Sequence, residues 1–300
     1  MSWFKNITLF QLIDDVVINK EILLNSLSKQ AFNDDVESNI SLKGWVPPFN
    51  NDELVYDLNG QYFFALKHTS KILPASVVKE YVAERSVKIE EQQGYKPGRK
   101  QLGEIKEQII SELLPKAFNK SKVTRIWIDK HNKFMAIDSA TSSVIDDIIG
   151  LMSKSFEYFP IKQLHTEKSP TAVMTDWLMA NEGPDNFSID GDTQLQSEAD
   201  NSKIKYINAM PPTDVINNHI SSGKQCTLLA LTWSDRISFV MDNQFNIKKI
   251  KPLDLLKQSV DHTGKDPFEI LDSDLTLMTE EVSQLITDLL AHLCVLASEN

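Results

Sequence analysis

The sequence predicts an α+β fold, in which mixed or antiparallel sheets are segregated from helices and a long helical hairpin projects from a central domain. Three observations predict it. Short apolar runs of strand length, separated by turn residues, occur on both sides of a helical block. Two long apolar stripes with helical spacing meet at a turn containing Gly and Pro within residues 74–114. A third stripe near the C-terminus needs a sheet or another helix to cover it.

Composition indicates an ordinary globular chain. The 300 residues are 41% hydrophobic, which is enough for a core, and the formal net charge is −11. Cys226 and Cys294 lie in apolar runs and are too few for a disulfide framework, so buried free thiols are expected. The start of the sequence does not resemble a signal peptide, and no apolar run reaches the length of a membrane span. We therefore expect a cytoplasmic protein without a membrane partner.

Residues 1–70 are expected to form strands around one helix. Alternating apolar residues predict a strand over 3–12, and a helical period predicts a helix over 21–32. The two prolines within 42–49 restrict that segment to a turn or an edge strand. Asn59-Gly60 is a hairpin signal, and residues 62–67 follow it as a strand.

The helical hairpin has clear start and stop signals. Pro74 suits the first turn of a helix, and Gly94, Pro97 and Gly98 end that helix and turn the chain. The second apolar stripe ends at Pro115, which disfavours helical geometry in the residue before it.

The remaining elements alternate between short strands and helices. The predicted strands cover 124–129, 133–138, 187–189, 202–207, 226–233, 237–241 and 247–253. The predicted helices cover 142–156, 170–180, 214–222 (ended by Gly223) and 279–297 (capped by Thr279). The polar segment 181–201 is expected to be an exposed loop.

These elements suggest a division of the chain into four segments. A central domain is expected in two parts, residues 1–73 and 123–168. Residues 74–122 are expected to form a finger-like tip made of the hairpin and a basic connector. Residues 169–300 are expected to form a C-terminal α+β region.

Positive charge is concentrated beside the hairpin. Residues 96–133 hold ten Lys and Arg against four Asp and Glu, a net charge of +6 in an acidic chain. This window is either a solvated helical arm or an arm directed at an anionic partner. Phe118 lies among Lys116, Lys120 and Lys122, where an aromatic side chain packs in a core, crosses a dimer interface or wedges against a nucleic acid.

Catalytic motifs are missing from the sequence. It contains no phosphate-binding loop, no dinucleotide fingerprint, no nucleophile elbow and no zinc-protease motif, and the six histidines are scattered. Asp190-Gly191-Asp192 lacks the remaining ligands of a calcium loop and is expected to be a turn. Two acidic pairs, Asp146 with Asp147 and Asp272 with Asp274, leave a metal-dependent nuclease as a minor alternative. We expect no catalytic residue, no metal and no cofactor.

Several motifs together resemble the RdgC family of recombination-associated proteins of proteobacteria, over essentially the whole chain. In order, they are MSWFKNITLF at 1–10, GWVPPF at 44–49, KILPASVVKE at 71–80, LLPKAF at 113–118, WID at 127–129, TDWL at 175–178, INNHISSGK at 216–224, LALTWSDRISFVM at 229–241 and LMTEEVSQLI at 277–286.

The resemblance implies a non-enzymatic, nucleoid-associated protein that binds DNA without sequence preference. Members of the family form a ring-shaped homodimer around duplex DNA and restrain RecA-dependent recombination. The expected partners are duplex DNA, with single-stranded DNA as a second candidate, and a second copy of the chain. The alternative is an interaction protein that acts directly on the recombination machinery.

The resemblance also directs the choice of site residues. Together with the charge window, it leads us to expect phosphate contacts from Arg99, Lys100, Lys116, Lys120, Lys122 and Arg125. Phe118 matches an aromatic position at the dimer interface or gate of the family. Some relatives carry a basic residue and a glutamine before the helix that contains NHI, whereas this chain has Asn208-Ala209 there. Lys203 and Lys205 are the nearby residues that could compensate.

Overall fold

The structure is a computed structural model that describes residues 3–13, 18–33, 41–50, 52–258 and 266–293, so Cys294 lies outside the described residues. The strands are β1 (Thr8–Leu12), β2 (Ser41–Val46), β3 (Tyr56–Leu58), β4 (Gln61–Ile72), β5 (Phe118–Asp129), β6 (Phe134–Ile137), β7 (Ile161–Gln163), β8 (Phe187–Ser197), β9 (Lys203–Tyr206), β10 (Lys224–Trp233), β11 (Ile237–Asp242) and β12 (Ile247–Pro252). The α-helices are α1 (Lys20–Leu27), α2 (Ala75–Gln93), α3 (Arg99–Leu113), α4 (Ser142–Ser155), α5 (Pro170–Ala180), α6 (Thr213–Ser221), α7 (Asp254–Gln258) and α8 (Pro267–Leu293).

The strands form two sheets in which every ladder is antiparallel. The first sheet has the order β2-β4-β5-β6-β1-β7, and β3 also pairs with β4. The second has the order β12-β11-β10-β8-β9. The predicted α+β class is therefore confirmed. Across the described ranges, no helix is both long and apolar enough to span a bilayer.

Two apolar clusters hold these layers together. One face of the first sheet packs on α1 and α4, where Trp45 and Phe64 meet Leu27 and Ile148. The opposite face belongs to a larger cluster that also contains the inner face of the second sheet, with α5 and α8. The apolar stripe of α8 thus finds the cover that the sequence requires, because both sheets contribute to the same core.

Several elements have boundaries that differ from the prediction. The strand predicted over 3–12 begins only at Thr8, and the helix predicted over 21–32 ends at Leu27 in a short 3-10 turn. The strand predicted over 62–67 extends to Ile72, and the strand predicted over 124–129 begins at Phe118. The basic connector is therefore strand, because each of its residues from 118 onward pairs with β4.

The strand predicted over 187–189 extends to Ser197 as β8, so the loop predicted over 181–201 and the turn expected at Asp190-Gly191-Asp192 are wrong. This strand pairs with β10 on one side and β9 on the other. Thr193 and Leu195 point into the core, whereas Gln194 and Gln196 alternate on the outer face. The polar residues that suggested a loop are the solvent-facing half of a strand that is buried on one side.

The last helix begins much earlier than predicted. It starts at Pro267, so Thr279 is a buried position inside the helix rather than its cap, and the Thr279 hydroxyl donates to the Thr276 carbonyl at 3.0 Å. Asp272, in the part of the helix that the prediction omitted, accepts a hydrogen bond from the Tyr56 hydroxyl. Burial, and then this hydrogen bond, raise the pKa of Tyr56. The predicted end at residue 297 lies outside the described residues.

Gly44 in β2 allows a close contact that fixes the edge of the first sheet. A Cβ atom at this position would lie 2.7 Å from the backbone nitrogen of Phe32. That nitrogen donates a hydrogen bond to the Trp45 carbonyl at 2.9 Å, so Phe32 cannot withdraw without breaking it. Gly103 in α3 has open space at the same position.

We predict that Gly44→Ala lowers the free energy of unfolding by about 1–3 kcal/mol, because the new methyl group overlaps backbone atoms. Gly103→Ala is the matched control and should raise that free energy by about 0.5–1 kcal/mol, since Ala is the better helix former. Urea unfolding of both variants measures the difference. Equal effects at the two positions would contradict the contact between Gly44 and Phe32.

Candidate nucleic-acid interface

The outer end of β4 and β5 forms a ribbon that extends beyond the body of the first sheet. The two strands pair over twelve residues, from Gln61 with Asp129 to Ile72 with Phe118. On its other side β5 pairs with β6 only over residues 126–129. Among the described residues, no strand pairs with that edge of β5 over residues 118–124.

This free edge carries an exposed run of side chains. Every residue from 118 to 123 is exposed. Alternation along the strand places Lys120 and Lys122 on one face, with their cross-strand partners Ser70 and His68. Lys43 of β2 is opposite His68, so it shares this face, where it forms an ion pair with Asp147 of α4.

The helical hairpin continues from the end of the ribbon. Pro74 precedes α2, and Gly94 ends it in the left-handed conformation with a φ of 80°. The two helices bury Val78, Ile105 and Ile109 between them. Across the outside of the hairpin, Arg85 donates two hydrogen bonds to the Glu112 carboxylate, of 3.2 and 2.9 Å. The first cause of the lowered pKa of Glu112 is this hydrogen bonding by Arg85.

The predicted phosphate contacts fall into three places. Arg99 and Lys100 lie in the first turn of α3, at the far end of the hairpin. The length of α3 separates them by roughly 20 Å from Lys116, given the rise of about 1.5 Å per residue. Lys116 lies in the 3-10 turn that leads into β5, and Lys120 and Lys122 follow it within that strand. The structure thus places three of the six residues along one continuous segment and two of them, Lys120 and Lys122, on one face of β5, and their contacts with phosphates stay a prediction.

Arg125 occupies a different environment. Its side chain is only 23% exposed, and its guanidinium lies 3.4 Å from the Asp138 carboxylate. It also lies over the rings of Phe4 and Phe49, with distances of 5.4 and 5.9 Å to the ring centroids. These contacts hold Arg125 within the protein, on the face of β5 opposite Lys120 and Lys122.

Phe118 is 84% exposed, which excludes packing in the core of this chain. Its cross-strand partner Ile72 is also exposed and leads directly into an apolar groove of about 530 Å³. The groove is lined by Leu73, Ala75, Val78, Val82, Ile110 and Leu114, with Lys71, Lys79 and Lys106 at its margin. The role of Phe118 at an interface stays a prediction.

Sequence reasoning missed the residues that β2 and β4 add to the ribbon. Lys43, His68 and Lys71 come close to β5 only through strand pairing. A prediction that β4 continues to Ile72 would have placed His68 and Lys71 beside β5. Lys203 and Lys205, the candidates for compensation, are exposed on the edge strand β9 of the second sheet.

The two acidic pairs do not converge on a shared point. Asp146 is exposed at a cleft, whereas its neighbour Asp147 pairs with Lys43. Asp272 accepts from Tyr56, and Asp274 is buried two residues further along the same helix, where side chains face different directions. Within the described parts of the chain, no group of three or more His, Cys, Asp or Glu residues could hold a metal ion.

The fold and this surface define an α+β protein that presents a basic, exposed arm of two strands and two helices. A family model described as "Putative exonuclease, RdgC" matches residues 2–295. The Recombination-associated protein RdgC of Bordetella parapertussis is 43% identical over 292 residues, which cover 97% of this chain and 98% of that protein. Its namesakes from Paraburkholderia phymatum and Janthinobacterium sp. are 42% and 40% identical, over 94% and 97% of this chain and 93% and 97% of their own lengths. The chain therefore belongs to the RdgC family.

We predict that Arg125→Ala lowers the free energy of unfolding by about 1–3 kcal/mol, because it removes a charged hydrogen bond to Asp138 together with the packing on two rings. Lys122→Ala should change it by less than about 0.5 kcal/mol, since that side chain is exposed. Chemical denaturation measures both. If the two variants lost the same stability, the distinction between a structural Arg125 and an exposed Lys122 would be refuted.

Proposed function

We propose that this protein is a non-enzymatic, sequence-independent DNA-binding protein that encloses duplex DNA as a ring-shaped homodimer and restrains RecA-dependent recombination. The observation that carries the proposal is the lysine-bearing free edge of β5. Binding through phosphates requires cations on an accessible surface and no arrangement of groups that reads bases. The acidic charge elsewhere in the chain is compatible with this, because salt screens charges beyond about 8–10 Å.

The chemistry of the free edge favours a nucleic acid over another strand. An unpaired strand edge is a template for pairing, and lysines are a common means of preventing it. If two copies of β5 paired in antiparallel fashion about Ser121, Lys120 of each copy would lie opposite Lys122 of the other. Like charges in that position are destabilising. Phosphate groups, in contrast, satisfy both lysines and the exposed backbone amides.

The second copy fits instead where the ribbon meets the base of the helical hairpin. An exposed phenylalanine and an apolar groove are complementary features, and both occur at the end of the ribbon. In a twofold dimer each Phe118 can enter the groove of its partner, because such an interface uses the same patch on both subunits. This contact would close one side of a ring, and the lysines of β5 would remain on the arms.

The name of the relatives, Recombination-associated protein RdgC, supports a role in recombination. Restraint of RecA, association with the nucleoid and the choice between duplex and single-stranded DNA belong to the proposal. An interaction protein that acts directly on the recombination machinery is the alternative. It would inhibit strand exchange even when DNA is in large excess.

The description of the family model favours a second candidate, an exonuclease. Incubation of linear duplex and single-stranded DNA overnight with Mg²⁺ or Mn²⁺ tests it. Shortening of the DNA ends that requires the protein and is stopped by a chelator would replace the non-enzymatic proposal. The two acidic pairs supply the variants, because Asp146→Asn and Asp272→Asn should then reduce cleavage.

We predict that the protein binds two linear duplexes of unrelated sequence equally and that affinity falls steeply with salt. Lys120→Gln/Lys122→Gln should make the slope of log K against log salt shallower by about 2, since each phosphate contact contributes about 0.9. The control is Lys29→Gln/Lys154→Gln, which removes two exposed charges outside the ribbon. Lys29 lies in the 3-10 turn after α1, and Lys154 lies in the last turn of α4. A wild-type slope for the β5 variant would exclude these lysines as phosphate contacts.

We predict that Phe118→Ser leaves the free energy of unfolding within about 0.5 kcal/mol of wild type, because the side chain is exposed in the single chain. On dilution, light scattering of the free protein should show that the variant dissociates from dimer to monomer at a higher protein concentration than the wild type does. Tyr95→Ser is the control, because Tyr95 is 66% exposed at the far end of the hairpin. Identical dissociation of both variants would refute the role of Phe118 at the interface.

A further inference from the structure

We propose that Lys5, Lys249 and Lys251 form a second site for nucleic-acid phosphates, on the edge of the second sheet and separate from the β5 ribbon. The site rests on the proposed DNA-binding function and extends it to a part of the chain far from the arm in sequence. Its basis is the juxtaposition of the N-terminal segment with β12, an unusual backbone conformation at Lys249, and the exposure of all three lysine side chains.

The N-terminal segment runs along β12 and brings the three lysines together. Ile7 and Ile247 exchange two backbone hydrogen bonds of 2.7 and 2.9 Å. The Lys5 carbonyl accepts from the Ile250 amide at 2.9 Å. Ile250 is buried, whereas Lys5, Lys249 and Lys251 are exposed, so all three lysine side chains reach solvent beside this junction.

The backbone at Lys249 is in a conformation that a lysine rarely adopts. Its φ is 54°, in the left-handed region, where glycine or asparagine is usual. It lies where the pairing of β11 and β12 shifts register between Ser238 and Val240. A bulge of this kind changes the direction in which a side chain points, and such bulges concentrate at functional sites. A lysine here carries a conformational cost that glycine would avoid.

The neighbouring carboxylates hold the backbone in place. Asp138 accepts hydrogen bonds from the Lys5 and Asn6 amides, at 2.8 and 3.1 Å. Asp192 accepts from the Asn208 amide at 2.8 Å, and this is the first cause of its lowered pKa. Its other oxygen lies 3.3 Å from the Lys249 ammonium, whose side chain is nevertheless 70% exposed. These acids position the lysines without covering them.

The ligand is the phosphate backbone of the same nucleic acid that the ribbon contacts. Arg125 of β5 and the Lys5 amide share the Asp138 carboxylate, so the backbone of Lys5 lies beside the inner part of β5, on the face opposite Lys120 and Lys122. Lysine ammonium groups act as point charges that suit phosphates without reading bases. The window of positive charge in the sequence does not contain these residues, because they come together only when β12 pairs with the N-terminal segment.

The test is the salt dependence of binding to a linear duplex by the full chain. The variant Lys5→Gln/Lys249→Gly/Lys251→Gln should give a slope of log K against log salt that is shallower by about 2–3. Lys249→Gly alone should give a slope shallower by about 1, with a midpoint of thermal unfolding equal to or above wild type, because glycine adopts this backbone conformation without strain. The matched control is Lys29→Gln/Lys154→Gln/Lys168→Gln, which removes three exposed charges elsewhere.

The outcomes separate this inference from the function on which it rests. If wild type binds with a steep slope and the triple variant equals its control, the second site is wrong and the proposed function stands. If the wild-type protein does not bind the duplex, both the second site and the proposed function are refuted. If Lys249→Gly lowers the midpoint of thermal unfolding and leaves the slope unchanged, Lys249 serves the fold alone and the site as proposed is refuted.

Discussion

The pairing of β4 with β5 is the interaction on which the rest of the structure depends. The inner half of this twelve-residue ladder places Phe63 and Trp127 in the core shared by the two sheets, and Phe64 and Ile126 in the core under α1 and α4. The outer half has no further strand beside β5 and carries the exposed lysines. This one ladder therefore contributes both to the buried cores of the protein and to the exposed surface that carries Lys120 and Lys122.

The change along the ladder follows from what covers it. Near Trp127 both faces are buried, and the side chains are apolar on both. Beyond Thr124 the covering layers end, and β5 reads Val123, Lys122, Ser121, Lys120. The strand persists because its backbone still pairs with β4, which satisfies half of its amides and carbonyls. Lysines suit the remaining edge, because they keep it in solution and discourage pairing with another chain.

The sequence predicted the helical hairpin almost to the residue, because proline and glycine mark its ends and the apolar spacing is regular. It also predicted the α+β class, now confirmed, and family membership through motifs spread over the chain. It failed where local polarity conflicts with tertiary context. Most of β8 was predicted as a loop because one of its faces is polar, and α8 was predicted to begin too late because Thr279, followed by two glutamates, resembles the start of a helix. Neither error could be avoided from the local sequence, because the residues that contact these elements, such as Tyr56, are distant along the chain.

The candidate site shows the same limit. Charge counting found Lys120 and Lys122, but it also included Arg125, which binds Asp138 within the protein. It missed Lys43 and His68, whose proximity depends on register. A count along the chain measures charge per length, whereas a binding surface depends on which side chains share a face.

The continuity of β5 has a mechanical consequence. A single strand runs from the buried Asp129 to the exposed Phe118 and is paired with β4 at every residue, so no linker or hinge separates the arm from the body. Bending the arm at its base would require breaking ladder hydrogen bonds. In a ring of the proposed kind, DNA without free ends would therefore enter by separation of the contact at Phe118, and the strength of that contact would set how often the ring opens.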